Sequence, residues 1–400
     1  MIRTAVLAYS GGLDTSCAIA WLQEDYGFDE VVAVLVDVGQ EFDLEQSITR
    51  GRAAGAEVVV LDRIESFAEE QVARALKTNA LYEGRYPLVS ALSRPVIAEA
   101  VASLALELDA EAVVHGCTGK GNDQVRFELA FKATYPGVKV IAPLRDRIWT
   151  REAEIAYAAS RGIPVSAKPA SPYSIDENLL GRSIEAGVIE DAWAAPPTDA
   201  WALTADPDRA PAPTEVVIAF EQGLPVALDG ETFELAELVK VLNGRAGAFG
   251  VGRIDMIENR SVGIKSRELY EAPAALVLID AHRSLEDLTL TKAELRAKRS
   301  LEETWTNLVY EGHWFSPLRR ALDAFVDTTQ ERVAGEVRVE LRPGAATVNG
   351  RRSEHALYAE TLASYGAGET FPHEAAEGYI RIVSLETELR AALERAKEAV

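Results

Sequence analysis

The chain has 400 residues, more than a typical single domain, so we expect two domains or one domain with a large appendage. Hydrophobic residues make up 48% of it and charged residues 26%, as in a globular protein with a core. Because 41 Lys and Arg stand against 63 Asp and Glu, the formal net charge of −22 argues against nucleic acid or an anionic membrane as a partner.

The first part of the chain alternates short β-branched runs with amphipathic stretches, which is typical of parallel βαβ units. One helix is predicted over Asp43–Gly55, and another is predicted to start at Ser93-Arg94-Pro95, because Pro is common in a first helical turn. The predicted strands are Thr4–Tyr9, Val31–Val38, Val58–Leu61, Ala112–Val114 and Val138–Ala142. We therefore expect an α/β fold whose residues 1–168 form a doubly wound, parallel-sheet nucleotide-binding domain.

The pattern changes in the second part of the chain. Residues 192–213 are rich in Pro and Ala and predict a linker or a surface excursion, and VVIAFEQGLPVALDG then predicts a hairpin around Gln222-Gly223. Antiparallel signals return over residues 336–348, with helical segments predicted at 235–242 and 288–309. We expect a second, α+β domain over 169–365 and a C-terminal arm over 366–400. The arm ends in a helix over Ser384–Val400 that either packs on its own chain or serves oligomerisation.

The first predicted strand runs directly into Ser10-Gly11-Gly12-Leu13-Asp14-Thr15-Ser16. The paired glycines allow a tight turn close to a ligand, and the helix that follows offers unpaired N–H groups to an anion. A Walker-type GxxxxGK[ST] is absent, and the motif instead resembles the SGGxD[ST] fingerprint of the PP-loop family, which holds the pyrophosphate of ATP. The alternative is a structural strand–turn–helix corner with Asp14 as a cap.

A second glycine-rich loop, GCTGKGNDQVR, follows the predicted strand Ala112–Val114. Parallel strands end at the same edge of a sheet, so this loop is expected beside the first one. Its amide and carboxylate side chains can fix the α-amino group of an amino acid, and Arg126 can clamp a carboxylate. A capped helix start, with Asn122 or Asp123 as the N-cap, fits the same residues. His115, just before the loop, is interpreted as a hydrogen-bonded residue at a strand end.

Several motifs spread from Ala8 to Arg319 are similar to the argininosuccinate synthase family. They are HGCTGKGNDQVRFE, AYSGGLDTSC, ALYEGRYPL, Ser93-Arg94-Pro95, SPYSIDENL, GVGRIDMIENR, GIKSRELYE and SPLR. The resemblance implies a ligase that couples citrulline to aspartate through a citrullyl-AMP intermediate and releases pyrophosphate and AMP. It also implies ATP with Mg²⁺ as co-substrate, no tightly bound cofactor, and a homotetramer whose C-terminal helix reaches across subunits.

The resemblance also implies three groups of binding residues. The ATP group is Ala8, Tyr9, Ser10, Gly11, Gly12, Leu13, Asp14, Thr15, Ser16, Val36 and Gly116. The citrulline group is Tyr86, Asn122, Arg126, Ser174, Ser183, Glu258 and Tyr270, and the aspartate group is Thr118, Asn122 and Asp123. Some family members have Ser where this chain has Ala91, so Ser90 is expected to make that citrulline contact. Of these residues, Asp14, Asp123 and Arg126 are expected to act in catalysis, together with Lys120, for which a solvated role is the alternative.

Two other functions remain open at this point. A tRNA-modifying PP-loop enzyme would need a basic face and, usually, reactive cysteines, whereas this chain is acidic and its cysteines are Cys17 and Cys117. A nucleotide-binding module without catalysis would not need the polar cluster of the second loop. The five histidines show no metal-ligand spacing and no CxxC occurs, so no metal site is expected. The first residues lack a signal-peptide layout and no apolar run approaches ~20 residues, so we expect a cytoplasmic protein.

Overall fold

The computed structural model describes residues 2–41, 43–146, 151–165, 173–365 and 370–398. The chain divides into two compact units, Met1–His355 and Ala356–Val400. The domain boundary predicted after residue 168 lies outside the described residues, and the boundary after residue 365 adjoins another such stretch. The three-part division therefore stays a prediction.

A parallel sheet forms the first part of the larger unit, and its strand order is β3-β2-β1-β4-β5. These strands are β1 (Thr4–Ala8), β2 (Glu30–Asp37), β3 (Glu57–Asp62), β4 (Ala112–Val114) and β5 (Lys139–Ile141). Alternate residues of a strand enter cores on opposite faces, with Val6 on one side and Leu7 on the other. The doubly wound sheet predicted from the sequence is therefore confirmed.

The helices of this part are α1 (Leu13–Glu24), α2 (Leu44–Ala53), α3 (Ile64–Ser66), α4 (Ala73–Lys77), α5 (Val89–Glu107), α6 (Asp123–Thr134), α7 (Pro143–Asp146) and α8 (Arg151–Ser160), with a π-helical segment at Phe67–Val72 between α3 and α4. The start predicted for α5 at Ser93 is wrong, because the helix begins at Val89 and contains Pro95 in its interior. Proline removes one backbone donor there, but twelve buried side chains hold the helix in the core.

Helix α5 also has the length and apolar composition of a membrane span, which the sequence analysis did not anticipate. Burial accounts for this composition, since 67% of its apolar window lies inside the protein. Helix α5 is therefore a core helix, which packs against both the parallel sheet and other elements of the larger unit.

Two antiparallel sheets follow in the described residues. Their strands are β6 (Ser174–Asn178), β7 (Gly181–Glu185), β8 (Thr214–Glu221), β9 (Leu224–Leu228), β10 (Glu231–Thr232), β11 (Arg253–Asn259), β12 (Lys265–Glu271), β13 (Gly335–Arg342) and β14 (Ala345–Arg352). One sheet has the order β11-β12-β7-β6 and the other β10-β9-β8-β13-β14. The predicted hairpin around Gln222 and Gly223 is confirmed, because both residues have positive φ in the turn between β8 and β9.

The helices of this region are α9 (Leu235–Gly247), α10 (Pro273–Thr289), α11 (Lys292–Tyr310) and α12 (Pro317–Gln330). The single helical segment predicted over 288–309 is wrong at its start, since the chain breaks between α10 and α11. Thr291 caps α11 and forms a capping box with Glu294. The smaller unit contains α13 (Glu360–Ala363) and α14 (His373–Glu398), so the predicted C-terminal helix begins eleven residues earlier than expected.

The hairpin of β6 and β7 is attached to the parallel sheet near the ends of its strands. The Leu179 N–H donates to the Val38 carbonyl at 2.9 Å, and the Asn178 amide donates to the Val89 carbonyl at 2.8 Å. These bonds bring the antiparallel sheet over the carboxyl edge of the parallel one.

Candidate active site

A cleft of about 610 Å³ opens at the carboxyl edge of the parallel sheet. Strands β1 and β4 are neighbours there, and the chain continues from them toward opposite ends of the sheet. Ligands of open α/β sheets bind at such a switch point. The cleft is lined by seventeen of the predicted site residues: Ala8, Tyr9, Ser10, Asp14, Thr15, Val36, Tyr86, Ser90, Gly116, Thr118, Asn122, Asp123, Arg126, Ser174, Ser183, Glu258 and Tyr270.

The first loop turns from β1 into α1 at the floor of the cleft. Gly11 has a φ of +75°, a conformation that glycine adopts without strain. Gly12 occupies the N-cap position of α1 and has no side chain with which to cap the helix. A helix start of this kind directs its first N–H groups toward an anion.

The second loop touches the first. A Cβ atom on Gly116 would lie 2.6 Å from the Thr15 Cγ2 atom, so glycine allows the two loops to meet. The His115 Nδ1 atom accepts from the Cys117 N–H at 3.2 Å, as expected for a hydrogen-bonded residue at a strand end. Burial lowers the pKa of His115 to about 4, against the opposing effect of Glu128, so the ring is neutral near pH 7.

Asp123, at the start of α6, lies between two arginines. Its Oδ1 atom is 2.8 Å from the Arg126 Nη1 atom, and its Oδ2 atom is 2.8 Å from the Arg94 Nε atom. Arg94 also pairs with Asp176 of β6 at 2.9 Å. Burial alone would raise the pKa of Asp123, but the charges of Arg94 and Arg126 outweigh it and hold this pKa below the ordinary value. Asp123 is thus a positioned anion and a poor general base near pH 7.

Arg126 is 4% exposed and lies with its guanidinium 4.9 Å from the centre of the Tyr310 ring. Its Nε atom donates to the Tyr310 carbonyl at 2.9 Å. Its Nη2 atom is buried and has no hydrogen-bond partner among the described residues. An unsatisfied buried guanidinium N–H fits a ligand that brings its own acceptor, such as a carboxylate.

Glu258, 3% exposed near the end of β11, contacts the hydroxyl of the same Tyr310 whose ring lies under the Arg126 guanidinium. The hydroxyls of Tyr310 and Tyr270 each donate to one of its two oxygens. Burial raises the pKa of Glu258, while the two tyrosine bonds and Arg126 oppose that shift. Because an ionised carboxylate can accept about four hydrogen bonds, acceptor capacity remains for a ligand's ammonium group.

Serine hydroxyls and amides complete this wall of the cleft. Ser90 and Ser183 share a hydrogen bond of 2.8 Å between their hydroxyls. The Asn122 amide donates to the Tyr310 hydroxyl at 2.8 Å and accepts from the Ser261 N–H at 2.9 Å. The Tyr86 hydroxyl oxygen accepts from the Ser90 N–H at 2.9 Å.

Five predicted site residues are not among those that line the cleft. They are Gly11, Gly12, Leu13, Ser16 and Lys120. Leu13 and Ser16 are buried beneath the first loop, where the Ser16 hydroxyl bonds Tyr9 at 2.8 Å. The Lys120 side chain is exposed, and its carbonyl accepts from the Arg260 Nη1 atom at 3.3 Å.

The sequence reasoning missed seven charged residues that line the cleft: Glu41, Glu177, Glu185 and a further four, which are Arg94, Asp176, Arg260 and Glu268. Arg260 pairs with Glu268 at 2.6 Å and with Glu185. Burial, with a further contribution from Glu185, raises the pKa of Glu268 to about 7 despite Arg260. These further four residues lie inside motifs quoted above, so the motifs were the available signal. Among the described residues there is no group of three metal-ligating side chains.

Comparisons with known proteins agree with this architecture. Residues 4–164 match the family described as the arginosuccinate synthase N-terminal HUP domain, and residues 173–390 match the arginosuccinate synthase C-terminal domain. The chain is 51% identical over 398 residues to proteins named argininosuccinate synthase from Bacillus subtilis (strain 168) and from Bacillus velezensis. In each case the similarity covers 99% of this chain and 98% of the relative. A solved structure of a predicted subunit of tRNA methyltransferase from Methanocaldococcus jannaschii aligns with a TM-score of 0.27 and 13% identity, over 39% of this chain and 76% of that one.

Proposed function

The chain belongs to the argininosuccinate synthase family, the ATP-using ligases that join citrulline to aspartate in arginine biosynthesis, and from this premise we propose how its cleft carries out the reaction. The observation that carries the proposal is the oppositely charged pair Arg126 and Glu258, both buried and both in contact with Tyr310, in the cleft that both glycine-rich loops line. A free amino acid has one carboxylate and one ammonium group, which is the charge pattern that this pair complements.

Citrulline binds with its carboxylate at the Arg126 Nη2 atom and its ammonium group at Glu258. Tyr86, Asn122 and Tyr270 enclose this head group, since all three line the same wall. Ser90, Ser174 and Ser183 offer hydroxyls to the remainder of the side chain. Because these groups are preorganised by bonds among themselves, they place the ureido oxygen without a large ordering cost.

ATP binds on the other side of the cleft, against the edge of the parallel sheet. Ala8, Val36 and Gly116 line the position for the nucleoside, and Ser10, Asp14 and Thr15 line the position for the phosphates. The first turn of α1 faces the β- and γ-phosphates with N–H groups and the positive end of its dipole. Mg²⁺ would enter with ATP and offset the charge of its phosphates, and Asp14 would be the carboxylate that faces it.

The reaction proceeds by two displacements. The ureido oxygen of citrulline attacks the α-phosphorus of ATP and the bond to pyrophosphate breaks, which yields citrullyl-AMP. The α-amino group of aspartate then attacks the ureido carbon, a proton is lost from nitrogen, and AMP departs. The protein contributes positioning and charge stabilisation, with no protein nucleophile in either step.

Aspartate binds over the second loop, near Thr118, Asn122 and Asp123. Asp123 is ionised and directed by two arginines, so it orients the attacking ammonium or amine rather than removing a proton. Lys120 is exposed and outside the cleft lining, which supports the solvated alternative over a catalytic role for this side chain.

The assembly and location of the protein also belong to this proposal. We assign a homotetramer in which α14 reaches a neighbouring subunit, because the described part of α14 buries none of its side chains. A cytoplasmic location is consistent with biosynthesis from soluble amino acids.

The test of the function is pyrophosphate release from Mg-ATP in the presence of citrulline and aspartate, with each substrate omitted in turn. We expect release that depends on citrulline, and argininosuccinate only when aspartate is also present. ATP consumption with tRNA in place of citrulline would favour a tRNA-modifying enzyme. ATP binding without turnover under any of these conditions would favour a non-catalytic nucleotide-binding module.

A further inference from the structure

A buried arginine on α2 lies directly behind the first glycine-rich loop. Arg50 is 8% exposed, and its Nη1 atom donates to the Gly11 carbonyl. Its Nε atom donates to the Pro164 carbonyl at 2.9 Å, and its Nη2 atom donates to the Gln46 Oε1 atom at 3.0 Å. Arg50 thus ties the loop to two other segments of the larger unit.

The charge of this guanidinium is not neutralised by the protein around it. All three acceptors of Arg50 are neutral amide or carbonyl oxygens. Among the described residues, no carboxylate forms an ion pair with it. Buried charges in proteins are ordinarily paired, because an uncompensated one carries a desolvation cost. A buried cation without a paired carboxylate can be neutralised by an anion that the substrate brings.

The loop in front of Arg50 has the geometry to receive such an anion. In a trans peptide the carbonyl and the N–H point in opposite directions, so fixing the Gly11 carbonyl toward Arg50 directs the Gly12 N–H the other way. That N–H donates to the Ser10 Oγ atom at 3.3 Å, and Ser10 lines the cleft. Helix α2 also supports the loop sterically, because a Cβ on Gly11 would lie 2.3 Å from the Ser47 Oγ atom.

We propose that Arg50 is a positioning residue for the pyrophosphate of ATP. It holds the Gly11–Gly12 peptide with the N–H toward the cleft, and it supplies a buried positive charge behind the loop that the pyrophosphate compensates. This inference rests on the proposed function, since it assumes that the first loop binds the β- and γ-phosphates.

The experiment measures the affinity of the full-length protein for inorganic pyrophosphate by titration calorimetry, both alone and with ATP as a competitor. It also measures the KM values for ATP, citrulline and aspartate. We expect Arg50→Met to weaken pyrophosphate binding and raise the KM for ATP by about tenfold or more, as for loss of a charged hydrogen bond. Arg50→Lys restores part of the affinity because it keeps the charge. The KM values for citrulline and aspartate change by less than about twofold in both variants, since those sites are built from other elements.

The matched control is Arg52→Met, which removes the same charge from an exposed position two residues along the same helix. We expect this variant to behave like the wild type, which separates a local effect from the change in net charge. If Arg50→Met does not fold, Arg50→Gln replaces it, because glutamine can still donate to the Gly11 carbonyl but carries no charge.

The outcomes separate this inference from the proposed function. Wild-type protein that binds no pyrophosphate in competition with ATP would contradict the proposed ATP site itself. If pyrophosphate competes with ATP in the wild type but the folded, uncharged Arg50 variant binds pyrophosphate with unchanged affinity, the proposed ATP site stands and only the role of Arg50 is overturned. An equal rise in all three KM values would also overturn it, because general structural damage would then explain the loss.

Discussion

At the scale of single residues, the proposed mechanism makes Asp123 the carboxylate on which the second displacement depends. Both of its oxygens accept from arginines, so replacement by Asn removes a charge that two guanidinium groups share. We expect Asp123→Asn to slow argininosuccinate formation by about 10²-fold, as for a misplaced reactant, while ATP binding is retained. Citrulline-dependent exchange between pyrophosphate and ATP measures the first displacement separately. A loss of exchange as large as the loss of product would contradict the assignment of Asp123 to the aspartate step.

Glu268 provides a residue-scale prediction about pH. Its pKa is raised to about 7 in the folded protein by burial and by Glu185, so folding favours its protonated form. That contribution to the free energy of unfolding is complete below about pH 4.5 and is lost as the pH rises to about 7. A shift of this size corresponds to about 3 kcal/mol between those pH values. Glu268→Gln stays neutral and should lack this component.

The measurement is the melting temperature of wild type and Glu268→Gln at several pH values between 4.5 and 7.5. We expect the wild type to lose stability relative to the variant as the pH rises, since only the wild type must ionise a buried group. Parallel melting curves across this range would mean that Glu268 is already ionised in the folded protein at low pH.

At the scale of elements, the contact between the two glycine-rich loops sets the shape of the proposed ATP site. A methyl group on Gly116 would lie 2.6 Å from the Thr15 Cγ2 atom and 3.2 Å from the Leu144 Cδ1 atom. Overpacking of this kind costs about 1–3 kcal/mol and must be relieved by moving a loop. We therefore expect Gly116→Ala to raise the KM for ATP by about tenfold or more.

Gly119→Ala is the matched control in the same loop, because its Cβ would meet only the Arg145 Cγ atom at 3.7 Å, an ordinary contact. This variant should keep a KM for ATP close to that of the wild type. Equal effects of the two substitutions would indicate a general sensitivity of the loop and not the contact with Thr15.

Local sequence signals predicted the helices and strands best where tertiary packing favours the same structure as the local residues. The strands of the parallel sheet agree with prediction to within one residue at every end, because buried β-branched runs are distinctive. Helix α5 was misjudged because burial outweighs the effect of Pro95. The break before α11 could have been found, since Thr291 and Glu294 have the spacing of a capping box.

At the scale of the whole molecule, α14 carries the proposal about assembly. Ile382, Leu385, Leu389 and Leu393 recur at spacings that place them on one helical face, and each is more than half exposed. Apolar stripes of this kind mark interaction surfaces. We expect Leu385→Glu combined with Leu389→Glu to lower the molar mass measured by light scattering below that of a tetramer. Glu394→Gln, an exposed change on the same helix, should leave the mass unaltered, and an unchanged mass in the double variant would contradict the role of α14 in assembly.

The sequence by itself determined the parallel nucleotide-binding sheet, the two glycine-rich loops at its edge and the family. Such features depend on neighbouring residues and on motifs that are contiguous in the chain. Only the tertiary structure decided which charges meet, as Arg94 does with Asp123 and Asp176, and which face away, as Lys120 does. The physical reason is that ion pairing and burial depend on distances through space between segments remote in the chain, for which local periodicity carries no signal.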